Sequence, residues 1–222
     1  MKKLELSGIS KSYNDEYVLK DFNAVFDNTH VNCIMGASGT GKTTLLNIIM
    51  GLVKADKGRI VYNNGDDETG KVWDNVRKSS VFQDSSLVEH LNPVINVSMV
   101  LDNMVVEGNK LSKDNVNELI RKELEQLLDK DALDKPCLQL SGGMKRRVEI
   151  VRAIMAESDI VVMDEPFAGL DENTKDIVIQ YILNNIRERI LIITTHDEND
   201  IKKLSANVLF IDNNAACCYN NV

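Results

Sequence analysis

The stretch Gly36-Ala37-Ser38-Gly39-Thr40-Gly41-Lys42-Thr43-Thr44 places three glycines, one lysine and paired threonines in a single short run. A glycine, four residues, then Gly-Lys-Thr is the spacing of a phosphate-binding loop. Gly36 lets the chain leave a strand sharply, while Gly39 and Gly41 let backbone N–H groups approach phosphate oxygens with no Cβ in the way. Lys42 supplies a point charge for β- and γ-phosphates, and the Thr43 hydroxyl is a hard oxygen ligand suited to Mg²⁺. The residues that follow, GKTTLLNIIMGL, read as a helix whose positive end faces the same anion. This is chemistry for the phosphate tail of a nucleoside triphosphate.

A metal ion on that tail needs a carboxylate, and the run IVVMDEP ends a buried strand in Asp164, placed to reach Mg²⁺ directly or through a water. Glu165 follows where the strand stops, so a turn there would direct it at the γ-phosphate to polarise a water. A second anion-seeking helix start lies in LSGGMKRRVEIVRAIMAES, where Ser141, Gly142 and Gly143 precede the apolar positions Val148, Val151, Ile154 and Met155. No strand leads into it.

The elements that must position these residues are legible as hydrophobic periods. KLELSGISKSY and FNAVF, with Phe22, Ala24 and Phe26 on one face, read as antiparallel strands. Short apolar runs at 31–35, 80–83, 160–164, 190–195 and 208–212 suit parallel strands buried on both faces with helices between them, an α/β core. From about 86 to 140 a helical period replaces them, with Val116, Leu119, Ile120, Leu124, Leu127 and Leu128 following Ser112 as N-cap. This reads as an inserted helical lobe. The tail DNNAACCYNNV reads as a final short element or a fraying end.

Six features in order then give the chain a resemblance to the ATP-binding subunits of ABC transporters. They are the phosphate loop, Gln83 in VFQDSS, the signature LSGGMKRR, the acidic strand IVVMDEP, AGLD ending at Asp171, and His196 in TTHD. Tyr13 sits where the family places an aromatic ring that stacks on adenine. The resemblance spans essentially the whole chain and implies a P-loop NTPase (RecA-like) core with an N-terminal antiparallel β subdomain and an inserted α-helical subdomain. It implies one ABC ATPase domain over 1–222, with 1–85 and 141–222 as core and 86–140 as helical subdomain. By the same resemblance Thr43 and Asp164 attend Mg²⁺, Gln83 attends Mg²⁺ or the attacking water, Glu165 and His196 attend the attacking water and the γ-phosphate, and Asp171 lies at a subunit contact. The family works head to tail, so Ser141, Gly142 and Gly143 would close on ATP held by a second copy or a homologous ATPase subunit. The implied activity is ATP hydrolysis that powers transport through a separate transmembrane permease subunit. Met144 and Lys145 depart mildly from the pattern, standing where glutamines are frequent.

Bulk properties narrow the alternatives. Hydrophobic residues at 43% and charged residues at 27% are ordinary globular values. No apolar run approaches the roughly 18 residues of a membrane span, and MKKLELSG lacks the apolar core of a signal peptide. The expected location is the cytoplasm, peripheral on the inner face of the cell membrane. A net charge of −8 opposes binding to a phosphate backbone, and the only short basic cluster is Lys145, Arg146 and Arg147, so no nucleic-acid partner is expected. A small-molecule kinase would share the phosphate loop but would need an acceptor pocket in place of the signature helix. Cys33, Cys137, Cys217 and Cys218 lack zinc-site spacing and are expected as free thiols without chemistry.

Overall fold

The computed structural model describes residues 1–65, 73–101, 105–106, 109–110, 112–212 and 215–219. The chain divides into two compact units, one of residues 1–80, 158–165 and 186–222 and the other of 81–157 and 166–185.

The first unit begins with the expected antiparallel strands, β1 (Lys3–Tyr13) and β2 (Glu16–Asp27). Phe22, Ala24 and Phe26 alternate into the core from β2, as a half-buried strand requires, and Leu19 joins them from beyond an irregularity in the pairing with β1. Next come β3 (Asn32–Met35), the helix α1 (Lys42–Met50) and β4 (Lys57–Asn63), which pairs with β1 to give a three-stranded sheet in the order β2-β1-β4. The strand β5 (Lys78–Val81) closes this stretch of the chain.

In the second unit lie α2 (Pro93–Ser98), the two-residue strands β6 (Val105–Val106) and β7 (Asn109–Lys110), α3 (Lys113–Leu124) and α4 (Gly142–Met155). The expected N-cap of α3 is in place, since the Ser112 hydroxyl accepts from the Asn115 N–H at 3.3 Å. The helix stops at Leu124, and Leu127 and Leu128 continue its buried face from a turn. The chain then returns to the first unit as β8 (Ile160–Asp164), gives α5 (Glu172–Asn185) to the second, and finishes with β9 (Ile190–Thr194), α6 (Glu198–Leu204), β10 (Asn207–Asp212) and β11 (Ala215–Tyr219).

The larger sheet runs β11-β10-β3-β9-β8-β5, with β10, β3, β9 and β8 mutually parallel and β11 antiparallel to β10. Every residue of β8 and of β9 is buried, as continuous apolar runs covered on both faces demand. Leu45, Leu46, Ile48 and Ile49 of α1 share one core with Leu4 and Phe22 of the smaller sheet and with Ile34, Val162, Ile192 and Ile211 of the larger. One correction concerns the strand expected at 80–83, which occupies Lys78–Val81 instead. The carbonyls of Phe82 and Gln83 accept from the Arg146 guanidinium, which takes them away from strand pairing. The tail forms β11, while 213–214, 220–222 and the side chains of Cys217 and Cys218 lie outside the described residues.

Cys33 is buried in β3, and burial, with Asp200 nearby, pushes its thiol up to about 12, which keeps it protonated and unreactive. Because Ile192 is fully enclosed, Ile192→Ala is expected to lower the free energy of unfolding by about 2–5 kcal/mol in urea titration.

Candidate functional site

In the first unit the parallel strands end at one edge, and the polar residues gather there. The chain leaves β3 through Gly36, loops back through Ala37, Ser38 and Gly39, and enters α1 at Gly41. Gly41 has φ +96°, and a Cβ on it would lie 2.8 Å from the Val18 carbonyl oxygen, so any larger residue would push the loop off β2. Thr40 closes the turn by donating its hydroxyl to the Ala37 carbonyl at 2.9 Å. No side chain caps the start of α1 and no acidic residue stands in its first turn, leaving its N-terminal donors for an anion. Lys42 spans the loop, donating to the Gly36 and Ala37 carbonyls at 2.7 and 2.8 Å. Thr44 lies in the first turn of α1.

Thr43, also in that first turn, donates its hydroxyl to Asp164 Oδ2 at 3.1 Å. The other oxygen, Asp164 Oδ1, accepts from the Thr194 hydroxyl at 2.5 Å. Thr194 Oγ1 in turn accepts from the Glu165 N–H at 2.9 Å. Glu165 adopts φ +48°, a left-handed conformation that is unfavourable for a residue with a Cβ and that concentrates at functional turns. Its Oε2 lies 2.9 Å from His196 Nδ1. Thr43, Asp164, Glu165 and His196 are thus joined, through Thr194, in one hydrogen-bonded chain. Tyr13 stands at the end of β1, 48% exposed, with the Lys11 ammonium 5.3 Å from its ring centroid.

The paired Thr43 hydroxyl and Asp164 carboxylate are hard oxygen donors and fit Mg²⁺. Among the described residues no group of three or more His, Cys, Asp or Glu could hold a metal, so an ion at Thr43 and Asp164 would need further oxygen ligands besides these two.

The second unit carries the other candidates. Ser141 caps α4 by accepting from the Met144 N–H at 3.2 Å, and Gly142 and Gly143 form its first turn. Asp171 caps α5 through Thr174, taking its N–H at 3.0 Å and its hydroxyl at 2.7 Å, bonds that hold its carboxyl below the usual carboxylate range. Ser141, Gly142, Gly143, Asp171 and Gln83 line one cleft of about 580 Å³.

The basic cluster next to the signature is occupied by protein acceptors. Lys145 pairs with Glu89 at 2.9 Å, and Arg147 donates to the Leu127 carbonyl at 2.5 Å and the Gly143 carbonyl at 3.2 Å. Arg146, buried, donates to the carbonyls of Phe82 and, at 2.9 Å, of Gln83, and lies 3.4 Å from Glu149. Glu149, also buried, accepts from the Ser85 hydroxyl at 2.9 Å and the Ser86 N–H at 2.7 Å. The segment around Gln83 is therefore tied to the signature helix by a buried ion pair. Sequence reasoning missed Glu149 and Thr194. The available signals were a lone carboxylate inside VEIVRAI and a hydroxyl closing the apolar ILII run.

Comparison with known proteins bears on the family and the fold. The family model described as ABC transporter matches residues 19–168. The ATP-binding cassette MJ0796 in a dimeric post-hydrolysis state bound to ADP and Pi is 24% identical, with a TM-score of 0.81 over 99% of this chain and 100% of that one. A second dimeric structure of MJ0796, described as a bacterial ABC transporter cassette, gives the same values. A nucleotide-free cassette from an ABC transporter is 22% identical, with a TM-score of 0.79 over 100% of this chain and 92% of that one. These likenesses show the P-loop NTPase fold.

Removing Glu149 would strand a buried guanidinium and free the Ser86 amide. Glu149→Ala is expected to destabilise the second unit by about 3–5 kcal/mol, with faster hydrogen exchange at the Ser86 N–H, while Glu149→Gln retains most of the protection.

Proposed function

This chain belongs to the ABC transporter family, whose cassettes are ATPases, and from that membership we propose that it powers transport through a separate transmembrane permease subunit. It does so as a head-to-tail pair with a second copy or a homologous ATPase subunit, in the cytoplasm at the inner face of the cell membrane. Among the described residues no helix is long and apolar enough to cross a membrane.

The observation that carries the proposal is the hydrogen-bonded chain from Thr43 through Asp164 and Thr194 to Glu165 and His196. Gly36 to Thr44 would wrap the triphosphate, with Lys42 as the cation on its terminal phosphates and Tyr13 offering its face to adenine. Thr43, Asp164 and Gln83 would hold Mg²⁺, which when bound neutralises charge on the phosphate oxygens. Glu165 would take a proton from the attacking water, a contribution worth about 10²–10⁴ in rate. His196 keeps the Glu165 carboxylate from swinging away by holding Oε2 at 2.9 Å. Ser141, Gly142 and Gly143 would present their N–H groups to ATP on the facing subunit, with Asp171 at the contact between subunits. That assignment explains why one chain carries two anion-seeking helix starts.

Glu165→Gln is expected to bind ATP with parental affinity while turnover falls by about 10² or more. A variant that releases phosphate at the parental rate would remove Glu165 as the base. In that Glu165→Gln background ATP should drive dimerisation on analytical ultracentrifugation. Ser141→Arg should leave ATP binding intact and abolish the dimer, and a dimer of undiminished stability would contradict the head-to-tail arrangement.

A further inference from the structure

We infer that Thr194 is a positioning residue that sets the orientations of the metal-side and water-side carboxylates together, an inference that rests on the roles proposed for Asp164 and Glu165. Thr194 is the last residue of β9 and is fully buried. It stands opposite Asp164 of β8 on one side and Ile34 of β3 on the other. A hydroxyl has one proton to give and lone pairs to receive. Here the proton goes to Asp164 Oδ1 at 2.5 Å, and a lone pair takes the Glu165 N–H at 2.9 Å. Since both directions are used by fixed partners, the hydroxyl has one orientation rather than three.

The Asp164 carboxylate is held at both oxygens, by Thr194 on Oδ1 and by Thr43 on Oδ2, so its plane cannot turn about the Cβ–Cγ bond without losing one of them. The Glu165 peptide is held in a left-handed turn at φ +48°, which is unfavourable by itself and needs an outside restraint. That restraint is the Thr194 oxygen. Because a left-handed residue sends its Cβ in a different direction from an extended one, losing the restraint would redirect the Glu165 side chain away from its contact with His196. Thr194 belongs to neither the phosphate loop nor the signature, and its place in a wholly buried strand explains its methyl group but not its hydroxyl. A valine would fill the same space.

The test compares Thr194→Val, which keeps the shape, with Thr194→Ser and Thr194→Ala, which differ from each other only in the hydroxyl. For Thr194→Val, kcat is expected to fall about tenfold or more while KM for ATP stays within about twofold, because the loop that binds ATP is intact. A second readout needs no turnover. In the Glu165→Gln background, Mn²⁺ binding to the ATP-loaded protein, followed by electron paramagnetic resonance, should weaken several-fold in Thr194→Val and Thr194→Ala. Thr194→Ser should remain within about twofold of the parent on both measures. If Thr194→Val lowers the melting temperature yet leaves kcat and Mn²⁺ affinity at parental values, the hydroxyl is structural only and the inference is overturned. It is equally overturned if the serine and alanine variants behave alike. Failure of the underlying reading looks different: parental turnover by Glu165→Gln alone removes the general base, whereas the Mn²⁺ measurement still decides whether Thr194 orients Asp164.

Discussion

Parallel pairing of β8 with β9 sets Asp164 opposite Thr194, and the polar chemistry of the first unit depends on that register. Both strands are buried at all of their residues, so their apolar pattern says little about how they should be aligned. A slip of one residue would bury the same kinds of side chain. It would also leave the Asp164 carboxylate and the Glu165 N–H without the hydroxyl that serves both. An unsatisfied buried group of this kind costs about 1–3 kcal/mol, and more when charged. The polar ends thus fix what the apolar middles leave open. The same contacts that align the sheet align the carboxylates, which makes register and site geometry one problem.

Much of this was legible in the sequence because local patterns carry it. The two-residue alternation of Phe22, Ala24 and Phe26 announced a half-buried antiparallel strand, and β2 buries that face. Ser112 and Ser141 announced helix starts, and each caps its helix. The spacing in the phosphate loop required a strand before it and a helix after it, which β3 and α1 supply. What was illegible depends on partners distant in the chain. The strand expected at 80–83 ends at Val81 because Arg146, far along the sequence, captures the next two carbonyls. Thr194 reads locally as one more β-branched strand residue, and only its placement beside Asp164 gives the hydroxyl a purpose.

Glu149 shows the same limit for helices. In VEIVRAI a carboxylate between apolar residues looks like a solvent-facing position, yet it is buried. Arg146 stands one turn earlier on α4, and the Ser85 hydroxyl and Ser86 N–H supply the remaining partners. A buried ion pair gains little stability over an apolar pair of the same shape, so its better-supported use is to specify one arrangement. Here the arrangement specified is that of the segment carrying Gln83 against the helix carrying the signature. The cationic cluster beside the signature, which in the sequence looked like a basic patch, is directed at carbonyls and carboxylates of the protein instead.

The two helix starts differ in a way that bears on how each meets an anion. The first turn of α1 follows a left-handed glycine with no side-chain cap, so its N–H groups are uncommitted and Lys42 adds a positive charge beside them. The first turn of α4 is capped by Ser141, whose hydroxyl already accepts the Met144 N–H. An uncapped start is the stronger anion binder, because every orphan donor of the first turn can turn to the ligand. A capped start has given up one donor but keeps its hydroxyl proton to offer, so it adds a weak, directional contact rather than a binding pocket. On the family's head-to-tail plan this division is the useful one. In the pair proposed above, ATP would be gripped by the uncapped end of its own subunit, and the capped end of the other would add the smaller, directional contact.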